Sequence, residues 1–235
     1  MINGPGDRRR DPWREGAWPV CDRRDTPLEW SPDPDGDTVQ GPLDLCFVEG
    51  RHLLLSLDRN EAALLAARGR LLRVMLAGHH WFTVGGDDCP AGSLVYFLRL
   101  EQPLTVDWRQ YMPVPRRDVD EPATRLHSGR FVVSIVHPVR FYESLLGNRA
   151  GEGNEICLPT LRHLLPTLLT IRLAGLEPTG EGGLASLLSR LEPAALNEDL
   201  APYGLACHAW SIQAPGERRP AGAPATAATG DLLPA

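Results

Sequence analysis

Residues 183–212 read GLASLLSRLEPAALNEDLAPYGLACHAWSI, and they spell a helix, a stop and a strand in that order. Leu184, Leu187, Leu188, Leu191, Ala195, Leu196 and Leu200 recur at three- and four-residue steps, which lays one apolar stripe along a helix. Tyr203-Gly204 supplies the stop, because glycine enters the left-handed region that ends a helix without a Cβ clash. Leu205, Cys207, Ala209 and Ser211 then alternate with Ala206, His208, Trp210 and Ile212, as a strand requires. Nothing in this unit carries chemistry; it is built for packing.

Upstream the order is strands first. Leu53–Leu57 reads as a buried strand. Leu71–Leu76, His80–Val84, Ser93–Leu100 and Leu104–Trp108 follow, punctuated by Gly78, Gly85-Gly86 and Pro103. Arg59–Arg68 is ambiguous, since Glu61, Ala62, Ala63, Leu64, Leu65 and Ala66 favour helix but stop at Gly69, a turn position. Phe131–Val136 is β-branched and ends at His137-Pro138, after which Val139–Leu146 is a short helix stopped by Gly147-Asn148. Ile156–Leu173 is apolar and helical. Pro159 fits its first turn, whereas Pro166, like Pro193 in the final helix, predicts two segments joined by a bend. Strands followed by helices and one closing strand make an α+β order.

A length of 235 residues suits one domain with tails or two small domains, and 43% apolar residues supply a core. Residues 1–42 hold seven prolines and mixed charges, so they read as a flexible arm that carries Trp13, Trp18 and Trp30. Those tryptophans either lie across the chain's own domain or dock into a partner. Residues 43–213 carry the periodic signal. Residues 214–235 are rich in Pro and Ala and read as a disordered tail.

The net charge of −6 gives no basis for nucleic-acid binding. All 24 basic residues are arginine, which removes lysine Schiff-base and Walker-type chemistry. Cys21, Cys46, Cys89, Cys157 and Cys207 form no CxxC pair, and the polar start has no signal-peptide pattern, so a reducing cytoplasm is the expected setting. No apolar run reaches the ~20 residues that span a bilayer.

Four stretches resemble the SPFH or Band 7 family of stomatins, prohibitins, flotillins and their soluble bacterial relatives. They are NEAALLAARGRLLRVMLAGHHWFTV (60–84), VYFLRLEQPLTVDWRQYMPV (95–114), LHSGRFVVSIVHPVRFYESLLG (126–147), and the helix–Asn197–Tyr203-Gly204-Leu205–strand ending. His137 stands where that family usually has Asp. The resemblance implies a mixed, largely antiparallel twisted sheet or half-barrel followed by helices and a closing strand, with Arg59–Arg68 mainly strand. It also implies self-association, often against membranes. Met1-Ile2-Asn3 lacks the glycine of a myristoylation signal. The chain stops after the closing strand where relatives continue into a long assembly helix, so a small oligomer or adaptor is the expectation.

The strongest enzymatic alternative is His79, His80, Asp87, Asp88 and Cys89, a set able to hold a metal or pair a thiol with an imidazole. Adjacent histidines on a strand face apart, and Gly85-Gly86-Asp87-Asp88 has turn composition. His163 sits on an apolar helix stretch and reads as a core or interface histidine. Glu181-Gly182-Gly183 precedes a helix N-terminus, where solvent is the expected occupant.

The sequence therefore reads as a non-enzymatic scaffold or adaptor that forms a homo-oligomer and gathers an unknown protein partner, with a membrane-surface role by analogy. No catalytic, cofactor or metal residue is assigned. Trp210, Phe141, Tyr142 and Trp108, with Trp13, Trp18 and Trp30, are the candidate interface residues. A monomeric binding module using the tryptophan arm is the first alternative, and a metal-dependent hydrolase at His79–Cys89 the second.

Overall fold

The computed structural model describes residues 27–114, 123–147, 149, 151–175 and 191–213. It is a mixed α+β protein whose strands form three sheets. The central sheet has the order β2 (Val39–Asp44), β7 (Leu94–Arg99), β4 (Glu61–Ala67) and β5 (Arg70–Met75), all antiparallel. A small sheet holds β1 (Leu28–Trp30), β3 (His52–Leu57) and β6 (Gly78–Thr83), with β1 parallel to β3. A third, long-stranded sheet runs β10 (Leu205–Gln213), β9 (Ala123–Ile135) and β8 (Leu104–Val114). Among the described residues the α-helices are α1 (Pro138–Phe141), α2 (Leu158–Ala174) and α3 (Pro193–Leu200).

The two inner strands of the central sheet, β7 and β4, are apolar on both faces. Ala62, Leu64 and Ala66 of β4, with Tyr96 and Leu98 of β7, join the larger core beside the long-stranded sheet and the helices. Ala63 and Leu65, with Val95 and Phe97, join a second core against Leu53, Leu55 and Leu57 of the small sheet. A strand buried on both faces needs a continuous apolar run, and Ala62–Ala66 is buried without interruption. This burial overrides the helical preference of Glu and Ala. Arg68 and Gly69, with φ of 51° and 74°, form the two-residue turn that returns the chain as β5.

Two strands are longer than the sequence predicts, because β8 and β9 pair from Leu104↔Val133 to Val114↔Ala123. Their hairpin depends on Gly129, which lies opposite Trp108. A Cβ there meets Trp108 Cε2 and Cζ2 at 2.9 Å and also the Ser211 carbonyl. The indole therefore lies over bare backbone and reaches Phe131 at 5.9 Å between ring centroids.

The closing unit follows the expected order of helix, stop and strand. Gly204 takes φ 70°, and its carbonyl accepts from Val136 N at 2.9 Å and His137 N at 3.1 Å. His137 caps α1, its Nδ1 accepting from Arg140 N at 3.4 Å, the task an Asp performs at such a position. The chain winds on from α1 as a π-helical turn, Tyr142–Leu146, before Gly147 leaves the helical region. Asn148 and residues 184–190 lie outside the described residues.

Several expectations are corrected. The arm boundary at residue 42 falls inside β2, and β1 is a strand of the small sheet, so residues 28–42 belong to the fold. α2 is one continuous helix through Pro166: its register buries Leu161, Leu165 and Leu169 in the larger core, with Pro166 buried beside them. Pro193 is the first residue of α3, and the segment that a bend there would join to it lies outside the described residues. In β10 the pairing shifts between Cys207 and Ala209. That bulge puts Leu205, Cys207, Trp210 and Ile212 all against the larger core, whereas strict alternation divides them between two faces. Asn197 of α3 holds the bulge, accepting from Cys207 N at 2.7 Å.

Gly129→Ala is expected to destabilise the protein by about 2 kcal/mol through overpacking against Trp108. Urea unfolding checks this, and an unchanged midpoint contradicts the account of the hairpin.

Candidate functional site

The structure disperses the sequence-predicted chemistry. Cys89 is fully buried in the second core, within a turn where Gly85 N donates to its carbonyl at 2.7 Å. Burial pushes its thiol up, away from the thiolate that nucleophilic or metal chemistry requires. His79 and His80 sit consecutively on β6; His79 bonds Ser56 Oγ at 3.0 Å and His80 Nε2 meets the Leu76 carbonyl at 2.6 Å. Among the described residues no three His, Cys, Asp or Glu side chains are grouped to hold a metal. Cys207 faces the core while His208 Nε2 meets buried Ser134 Oγ at 2.7 Å. His163 is exposed on α2, which corrects the core half of its reading and leaves it open to an interface. Glu181-Gly182-Gly183 lies outside the described residues.

The candidate interface residues divide in the same way. Phe141, Tyr142 and Trp108 are 0%, 3% and 4% exposed inside the larger core, so they hold the domain together and are closed to a second molecule. Tyr142 meets Tyr96 edge-on at 5.8 Å, and burial raises both phenols. Trp210 is partly buried against the same core. Trp30 meets Phe97 edge-on at 5.3 Å, so this arm tryptophan packs on its own domain. Trp13 and Trp18 lie outside the described residues.

An open groove of about 390 Å³ lies where the central sheet hands over to β8, lined by Asp58, Asn60, Glu61, Arg99, Leu100, Glu101 and Gln102. Its polar groups already serve the fold. Glu61 Oε2 accepts from Asp58 N at 2.9 Å, and Arg99 donates to the carbonyls of Gly36 and Asp33.

Two surfaces remain that the sequence did not single out. The first is the outer face of the small sheet, where Trp81 is 58% exposed beside its cross-strand partner Leu54. Around this pair, Ser56 Oγ donates to Glu29 Oε1 at 3.3 Å, and Thr83 Oγ1 meets His52 Nδ1 at 2.9 Å. The available signal was the period of two in His79-His80-Trp81-Phe82-Thr83, which sends Phe82 inward and Trp81 out. The second is a pair of edge strands. Leu72 on β5, Leu76 just after it, and Tyr111 on β8 are 46%, 54% and 67% exposed, and both strands close their sheets.

No protein-family model matches this chain, and no curated protein matches it. Among the described residues no helix is long and apolar enough to cross a membrane.

The buried thiols make a pH prediction. Desolvation raises Cys157 from 9 to about 12 and Cys207 from 9 to about 11. An unfolded chain releases these protons near pH 9 while the folded chain keeps them, so the unfolded state binds fewer protons above that point. Stability is therefore expected to hold below pH 9 and to fall between pH 9 and 12. Denaturant unfolding across this range checks it, and a Cys157→Ala/Cys207→Ala variant should show a shallower fall. An equal slope in the two proteins contradicts this assignment.

Proposed function

We propose that this chain is a non-enzymatic scaffold or adaptor of the SPFH/Band 7 type, which self-associates and gathers protein partners in the cytoplasm, with contact to a membrane surface by analogy. The observation that carries the reading is the pairing of open strand edges with exposed apolar side chains. β5 and β8 end their sheets, and Leu72, Leu76 and Tyr111 are exposed on or beside them. An unpaired edge offers a row of N–H and C=O groups to another strand, and exposed apolar groups add burial to that pairing. Arg70 and Arg73 on β5, with Asp107 and Arg109 on β8, keep these edges from indiscriminate pairing.

The strand-first order, the closing helix–Gly204–strand unit and the largely antiparallel sheets support the same family-level reading. On it the protein works geometrically. Copies joined edge to edge repeat one face at fixed spacing, and that repeat is what a partner binds. Burial of Cys89 and the separate engagements of His79 and His80 weigh against the hydrolase alternative.

Light scattering on the size-exclusion eluate is expected to give a mass above one chain at tens of micromolar. Leu76→Glu should lower that mass by placing a charge at the edge. A strictly monomeric wild-type mass overturns the scaffold reading and favours the monomeric binding module. Flotation with anionic liposomes tests the membrane contact, and failure to float removes it.

A further inference from the structure

We infer that the outer face of the small sheet is a docking surface for the chain's own N-terminal segment, the part that carries Trp13 and Trp18. This does not depend on the scaffold reading, which concerns β5 and β8. The inner face of the small sheet is spent: Leu53, Leu55, Leu57 and Phe82 fill the second core. Its outer face presents Trp81 and Leu54 as cross-strand neighbours, flanked by short polar groups.

Three observations select the occupant. The first is register. Leu28 pairs with Leu53, and Leu53 pairs with Phe82, so the N-terminal segment joins the small sheet one residue step from the level of Trp81. β6 is two strand spacings from β1, about 10 Å away. Trp18 precedes Leu28 by ten residues, which extended reach about 33 Å. The segment therefore spans the face with chain to spare.

The second observation is the fixed root. Trp30, at the end of β1, meets Phe97 of the central sheet edge-on at 5.3 Å. The tether starts from a pinned strand, which holds its tryptophans at an effective concentration in the millimolar range, on the order of that for a short linker.

The third is size. Two strands of six residues, β3 and β6, and the three-residue β1 make a face of roughly 240 Å². A stable interface between folded partners takes about 800 Å² from each. The face fits a peptide carrying one or two indoles and is too small to hold a second copy alone. Aromatic packing of an indole on Trp81 and Leu54 provides the burial, and Glu29 offers a carboxylate to a segment that contains Arg8, Arg9, Arg10 and Arg14.

The test is tryptophan-selective covalent labelling of the full-length chain, read by peptide mass spectrometry in dilute and concentrated solution. The Trp13→Ala/Trp18→Ala variant is expected to label Trp81 several-fold faster than the wild type at both concentrations. In a Trp81→Ala variant, labelling of Trp13 and Trp18 should rise in turn. All of these substitutions lie outside the described core, and circular dichroism confirms that the fold is kept. Equal labelling of Trp81 in wild type and double variant overturns the inference. Wild-type protection that disappears on dilution also overturns it, because a second copy is then the occupant.

Discussion

Burial of β4 and β7, the inner strands of the central sheet, on both faces is the constraint from which the rest of the structure follows. β4 contributes Ala62, Leu64 and Ala66 to one core and Ala63 and Leu65 to the other, and β7 divides Tyr96 and Leu98 from Val95 and Phe97 in the same way. At ~25 cal/mol per Å² of apolar surface removed from water, neither strand has a side to give to solvent. Every other element has to cover one side or the other. The helices and the long-stranded sheet cover the first face, and the small sheet covers the second.

Covering both faces leaves, among the described residues, the sheet edges as open backbone. β5 closes the central sheet and β8 closes the long-stranded one. The apolar residues exposed there are therefore consequences of where covering elements end. The ionic contacts reinforce the cover. Asp107 and Arg130 bridge β8 and β9 with a 2.7 Å contact, and Arg172 of α2 pairs with Glu198 and Asp199 of α3. Surface pairs of this kind contribute little each, so they orient elements that burial already holds.

The sequence was most legible where local pattern and tertiary demand agree. Gly204 ends its helix in the left-handed region as its position suggests, and most strands fall where Gly and Pro bound them. It was less legible where the answer is set at a distance. Ala62–Ala66 favours helix locally and becomes strand because two cores press on it. The β10 bulge depends on Asn197, ten residues upstream. Pro166 predicts two segments, yet α2 is continuous from Leu158 to Ala174, with its buried leucines sharing one core. Likewise Phe141, Tyr142 and Trp108 have interface composition, and only the surrounding packing reveals them as interior. The candidate surfaces were hidden for a simpler reason: an exposed Trp81 and a buried Phe82 look alike until the strand is given a face.

The central claim is that two-sided burial of β4 and β7 anchors the fold, with association through the edges of β5 and β8 as the function we propose. Amide hydrogen exchange followed strand by strand, in dilute and in concentrated protein, tests both halves at once. The account predicts that β4 and β7 exchange slowest at every concentration, and that β5 and β8 gain protection as the protein is concentrated. Exchange in β4 and β7 as fast as at the edges, or edge amides indifferent to concentration, contradicts it.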